Sequence, residues 1–116
     1  HVGHGAIIHG GTLGENVLIG MNAVVMDNVE VGDGCIVGAL AFVPQNTVIP
    51  ARSIFVGNPG KVVKAVSDEM LAWKTEGTEL YMKLAEQCHS TLKEVAPLEA
   101  VEPNRPNHEG TYQTHK

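Results

Sequence analysis

The fold is decided by residues 13–49, LGENVLIGMNAVVMDNVEVGDGCIVGALAFVPQNTVI, which repeat one pattern every six positions. An aliphatic residue begins each repeat: Leu13, Ile19, Val25, Val31, Val37, Val43 and Ile49. Val2 and Ile8 extend the series upstream, and the step from Ile8 to Leu13 is one residue short. The residue after the aliphatic is often glycine. The fourth residue after it is small or β-branched: Ala6, Thr12, Val17, Ala23, Val29, Cys35, Ala41, Thr47 and Ser53.

A period of six is the signature of hexapeptide repeats, which form a parallel β-helix. Each hexapeptide supplies one short strand and one bend, and three hexapeptides complete a triangular coil. We expect the aliphatic residues to fill the interior of the prism and the small residues to fit its corners. We expect the glycines to permit the backbone angles of the bends.

Three regions follow along the chain. The β-helix is predicted for residues 1–60, with a coil step of seventeen instead of eighteen beside the shortened hexapeptide. Residues 61–96 are predicted to be an α-helical segment, with a helix from about Ser67 to Leu92 that Gly77 interrupts. We expect the helix to pack along the prism or against a neighbouring subunit. Residues 97–116 are polar and proline-containing, and are predicted to form a flexible tail.

Composition narrows the function. The formal net charge is −5, which does not favour nucleic acid or an anionic membrane surface as a partner. No signal peptide or membrane span is visible, so we expect a cytoplasmic protein. The two cysteines lie in unrelated patterns, Cys35 in a corner position and Cys88 in the helical region, and both are interpreted as packing residues.

His4 and His9 are the candidate site. Both are expected to project outwards on different sides of the prism, His4 beneath Met21 and His9 beneath Met26. A single chain cannot easily bring the two imidazoles onto one ion, but a trimer can place His9 of one subunit against His4 of the next. Imidazole suits zinc, and a catalytic zinc normally has three protein ligands, of which two are visible here.

Two further polar residues lie close to these histidines in the sequence or in the coil register. Asn22, next to Met21, is a candidate polar contact for a substrate oxygen. His1 lies three residues before His4 and is interpreted as a surface residue.

The run HVGHGAIIHGGTLGENVLIGMNAVVMDNVEVG, followed later by VGNPGKVV, resembles the γ-class carbonic anhydrase family. It looks most like the hexapeptide-repeat proteins of phenylacetate degradation and carnitine operons. The resemblance implies a left-handed coil and a homotrimer with zinc at the subunit interface. His4 and His9 match two of the three family ligands. The third family histidine lies about one coil before His4, so the intact protein is expected to carry further hexapeptides upstream.

Four functions stay open. The resemblance implies zinc-bound hydroxide attacking carbon dioxide to give bicarbonate, or attacking the thioester of an acyl-CoA in a hydrolase of a catabolic operon. An acyltransferase with a histidine base is a third reading, although it needs one histidine and no metal. A trimeric scaffold without turnover is the fourth. Fe²⁺ or Co²⁺ would also suit imidazole ligands.

Overall fold

The structure, a computed structural model, describes residues 1–104, and its first part is the predicted parallel β-helix. Nine short strands follow one another around a three-sided prism. They are β1 (Ile7–Ile8), β2 (Gly11–Leu13), β3 (Leu18–Ile19), β4 (Val24–Val25), β5 (Val29–Val31), β6 (Ile36–Val37), β7 (Phe42–Val43), β8 (Val48–Ile49) and β9 (Ser53–Gly57). Every third strand pairs in parallel, which gives the sheets β1-β4-β7, β2-β5-β8 and β3-β6-β9.

The predicted aliphatic ladder forms the core. Ile19, Val25, Val31, Val37, Val43 and Ile49 are all buried. Phe55 occupies the next position and is also buried, while Ile8 and Leu13 are partly buried against the same cluster. Cys35 packs in its corner, where its thiol donates to the carbonyl oxygen of Pro50 at 3.0 Å. Burial raises the pKa of this thiol.

The coil step changes from seventeen to eighteen residues within the first coil, as the shortened hexapeptide predicts. Ile8 pairs with Val25, seventeen residues on, whereas Leu13 pairs with Val31, eighteen residues on. The change corrects one prediction. Gly11 pairs with Val29 and takes the small-residue position, so Thr12 is exposed and pairs with Glu30 on the outer surface.

The corners are made by residues with positive φ, and these are mostly not the glycines of the repeat. They recur every six residues at Asn16, Asn22, Asn28, Gly34, Leu40, Asn46 and Arg52, with φ between 51° and 64°. Asparagine tolerates this left-handed conformation better than most side chains, because its short amide can hydrogen-bond locally.

The repeat glycines do not form the bends, so the prediction that they permit the backbone angles there was wrong. Gly20 and Gly32 do not have positive φ. A Cβ atom at Gly20 would lie 2.4 Å from the amide nitrogen of Ala39, and one at Gly32 would lie 2.5 Å from that of Ala51. Glycine is needed there because the backbone of the next coil approaches too closely for any side chain.

An antiparallel hairpin ends the β-helix. Strand β10 (Gly60–Ala65) folds back on β9 around Asn58 and Pro59. The predicted helical segment of residues 61–96 therefore begins with a strand and not with a helix. Helix α1 (Asp68–Thr91) follows, with the Ser67 hydroxyl accepting from the Met70 amide at 3.2 Å as its N-terminal cap. The helix is continuous through Gly77, which corrects the predicted interruption.

The chain divides into two compact units, His1–Thr75 and Glu76–Lys116. Within the first unit, the opening turns of α1 contact the β-helix: the Leu71 side chain lies over Gly34, and Thr75 accepts from the Asn16 amide at 2.9 Å. Residues 92–104 form neither helix nor strand, and the remainder of the predicted tail lies outside the described residues. No helix in the described part is long and apolar enough to span a membrane.

Candidate functional site

His4 and His9 lie on either side of strand β1, and both are exposed. His4 belongs to the turn before the strand and His9 follows its last residue directly. The two histidines therefore mark the two ends of a single face, the one formed by β1-β4-β7. This corrects the prediction that they occupy different sides of the prism, because both flank the same strand.

The backbone around both histidines follows the seventeen-residue register. The His9 amide donates to the carbonyl oxygen of Val25 at 2.8 Å, and the Asn22 amide donates to the carbonyl oxygen of His4 at 2.9 Å. This register agrees with the predicted placement of Met21 over His4 and Met26 over His9. Met21 is 54% exposed, so its side chain is open to a partner or to solvent.

The His9 imidazole has a side-chain partner that sequence reasoning missed. Its Nδ1 lies 3.0 Å from Oδ1 of Asp27. An ionised carboxylate only accepts hydrogen bonds, so Nδ1 is the donor, and in the neutral ring Nε2 is left with its lone pair. The His9 side chain is 61% exposed. One signal for the pair was present in the sequence, because Asp27 follows His9 by eighteen residues, one ordinary coil.

Asn22 lies close to the turn that carries His4. A Cβ atom at Gly5 would lie 2.1 Å from Oδ1 of Asn22, so the amide side chain covers this glycine. Gly5 and Asn22 have φ of 69° and 55°. The corner conformation alone accounts for asparagine at this position, and a contact with substrate stays a prediction.

One chain does not assemble a complete metal site from the described residues. Among residues 1–104 there is no group of three or more histidine, cysteine or acidic side chains placed to hold an ion. His1 does not supply a third ligand in that range. That His4 and His9 of different subunits share an ion stays a prediction.

The face between the two histidines carries apolar side chains on its outer side. Ile7, Val24 and Phe42 are paired in register on strands β1, β4 and β7, and they alternate with the inward-facing core residues. Ile7 is 54% exposed, and Leu40 at a neighbouring corner is 70% exposed. Apolar surface of this kind is characteristic of an interface between subunits.

Comparisons with known proteins place these features in context. Residues 10–45 match the family described as bacterial transferase hexapeptide, six repeats. Carnitine operon protein CaiE of Salmonella agona is 44% identical over 111 residues, which are 96% of this chain and 56% of that protein. The chain thus spans a little over half the length of this relative.

Solved structures of two further bacterial proteins are also similar to this chain. A hexapeptide transferase family protein from Anaplasma phagocytophilum superposes with a TM-score of 0.70 at 26% identity, over 74% of this chain and 53% of that one. The acetyltransferase domain of PglB from Neisseria gonorrhoeae, solved with acetyl coenzyme A, gives 0.51 at 33% identity, over 54% of this chain and 30% of that one. These relatives share the β-helix fold that the repeat predicted.

Proposed function

We propose, from the premise that this chain is a hexapeptide-repeat protein akin to the carnitine operon proteins, that it acts as a trimeric metalloenzyme. Each subunit interface would hold zinc between His9 of one subunit and His4 of the next. The reaction would be the reversible hydration of carbon dioxide, with acyl-CoA thioester hydrolysis as the alternative for the same site.

The observation that carries the proposal is the position of the histidines at opposite ends of one exposed apolar face. A neighbouring copy that packs against Ile7, Val24 and Phe42 would also contact the two ends of this face, where His4 and His9 lie. In a closed ring of three, every contact is head to tail and joins two different patches, so the His9 end of one subunit would meet the His4 end of the next.

The donor atoms fit zinc. His9 has Nδ1 held by a carboxylate and Nε2 open, which is the arrangement usual for metal-ligating histidines. His4 is exposed and lies beside Met21. Zinc, when bound, supplies a water whose pKa falls to about 7 and which is therefore a nucleophile near neutral pH. Fe²⁺ and Co²⁺ would suit the same imidazoles.

The remaining residues would shape the site around the substrate. Met21 and Met26 would exclude bulk water from one side. The amide of Asn22 would donate to a substrate oxygen.

Metal content and complementation between variants test the proposal. His4→Ala and His9→Ala should each lose zinc, while His89→Ala, on the exposed part of α1, should retain it. Random mixing of His4→Ala and His9→Ala subunits should restore about a quarter of the interfaces, because one subunit supplies His9 and the next supplies His4. A site built within single chains would give no recovery on mixing.

Acyl transfer is the second candidate, and the His9–Asp27 pair favours it too. A histidine oriented by a carboxylate is the usual general base. Here Nε2 would take the proton from an acceptor hydroxyl or amine as it attacks the thioester carbonyl. The carbon–sulfur bond would then break, and the proton would pass to the departing CoA thiolate. One matched structure, the PglB domain, was solved with acetyl coenzyme A.

The two candidates differ in what they require. Acyl transfer needs His9 but neither His4 nor metal, so it should survive His4→Ala and a chelator. The metalloenzyme should lose activity in both cases. Assays with carbon dioxide and with a panel of acyl-CoA esters, in the presence and absence of an acceptor, decide between hydration, hydrolysis and transfer. A scaffold would show none of these activities.

A further inference from the structure

We infer that Asp27 is a positioning residue that fixes the His9 imidazole as the Nδ1–H tautomer, so that Nε2 always faces outwards with its lone pair available. The inference rests on the proposed function only for its consequence, because a metal ligand and a general base both need this nitrogen unprotonated. The geometry itself is the 3.0 Å contact between Nδ1 and Oδ1.

The position of Asp27 in the repeat does not by itself require a histidine partner. Asp33 lies one hexapeptide later, in the same place two residues after the core aliphatic. It accepts from the backbone amide of Glu15 at 2.7 Å, which is a structural corner contact. Asp27 accepts from a side chain instead. Two carboxylates in equivalent positions thus have different partners, and only Asp27 bonds to a group with possible chemistry.

The local chain makes room for this contact. A Cβ atom at Gly10 would lie 2.6 Å from Oδ1 of Asp27, so any other residue there would displace the carboxylate. The coil step changes from seventeen to eighteen residues between Ile8 and Gly11. The change of register falls between the pairing of β1 and that of β2, where His9 and Gly10 lie. The backbone pairing of β1 has a step of seventeen residues, whereas the side-chain partner of His9 lies eighteen residues on.

The consequence is a nitrogen of fixed orientation and protonation. A carboxylate partner keeps the ring from rotating and keeps the proton on Nδ1. Loss of such a partner usually weakens metal affinity about 10–100-fold. We therefore expect Asp27→Ala to bind zinc about 10–100-fold more weakly than the wild-type protein. Asp33→Ala, which removes the equivalent carboxylate from another corner, should bind it equally well.

The tautomer is tested directly, in metal-free protein, by long-range ¹H–¹⁵N imidazole spectra at about pH 8.5, where ordinary histidines are neutral. The His9 signals are assigned with His9→Gln. In wild-type protein Nδ1 should carry the proton, in Asp27→Ala the proton should move largely to Nε2, and in Asp33→Ala it should stay on Nδ1. Asp27→Glu, which restores a carboxylate, should return the wild-type pattern at least in part.

The outcomes separate this inference from the proposed function. If wild-type His9 carries its proton on Nε2, the role of Asp27 is refuted, and this measurement needs no variant to fold. If the tautomer responds to Asp27 as expected but no form of the protein binds zinc, the inference stands and the metalloenzyme proposal fails. If zinc binds equally to wild-type and Asp27→Ala with an unchanged tautomer, the inference fails and the metal site remains.

Discussion

The ammonium group of Lys74 is buried and donates hydrogen bonds to two oxygens of Asn16, the backbone carbonyl oxygen and side-chain Oδ1. Asn16 is a corner residue with φ of 51°, and its own amide donates to Thr75. One corner of the β-helix thereby binds the opening turns of α1. The next predictions follow from this contact.

Asn16→Ala should destabilise the protein more than Asn46→Ala, the matched substitution at another corner. Both variants place alanine at positive φ, which costs about 1–2 kcal/mol. Only Asn16→Ala also removes an acceptor from a buried ammonium, which should add about 1–3 kcal/mol. Urea denaturation at equal protein concentration measures the difference. Equal losses would show that the Lys74 contact contributes nothing.

Lys74 should contribute a rise in the free energy of unfolding with pH in the alkaline range, opposite in sign to the contribution of the Cys35 thiol, whose pKa is raised. Burial lowers the pKa of Lys74 below its ordinary value of 10.5. Between the lowered pKa and 10.5 the unfolded chain binds more protons than the folded chain, so stability increases with pH across that window. Lys74→Met should lack this increase.

Lys83→Met is the control for that titration, because Lys83 is exposed on the same helix. It should retain the wild-type slope in urea titrations from about pH 8 to 10.5. If the free energy of unfolding changes equally with pH in wild type and Lys74→Met, Lys74 does not contribute to the pH dependence.

Gly20→Ala should cost about 1–3 kcal/mol, because its methyl group would meet backbone atoms of the next coil. Asn28→Gly, at a corner with φ of 56°, should change stability by less than about 1 kcal/mol, since glycine accepts this conformation without strain. Thermal or urea midpoints compare the two. A larger loss of stability for Asn28→Gly than for Gly20→Ala would contradict the assignment of the bends to the asparagines.

Val37→Asp should unfold the β-helix or cost about 3–5 kcal/mol, because it leaves an unpaired charge in a fully buried position. Val48→Lys is the control that places a charge on the outer surface, where the side chain is 65% exposed and pairs with Glu30, and it should change stability by no more than about 0.5 kcal/mol. Circular dichroism in urea measures both. A tolerated Val37→Asp would contradict the inward ladder.

The period of six by itself determined the coils, the inward aliphatic residues and the change of step beside the histidines, because a strand only two or three residues long must repeat its burial pattern in every turn. It also singled out His4 and His9, since outward positions in a packed repeat are free to carry function.

The paired backbone decided what the period left open. It assigned the bends to asparagines and the glycines to close contacts between coils, as at Gly20, because the distance to the next coil is not encoded in any one repeat. It joined His9 to Asp27 and Lys74 to Asn16, contacts across eighteen and fifty-eight residues that depend on side-chain direction and on where the chain returns.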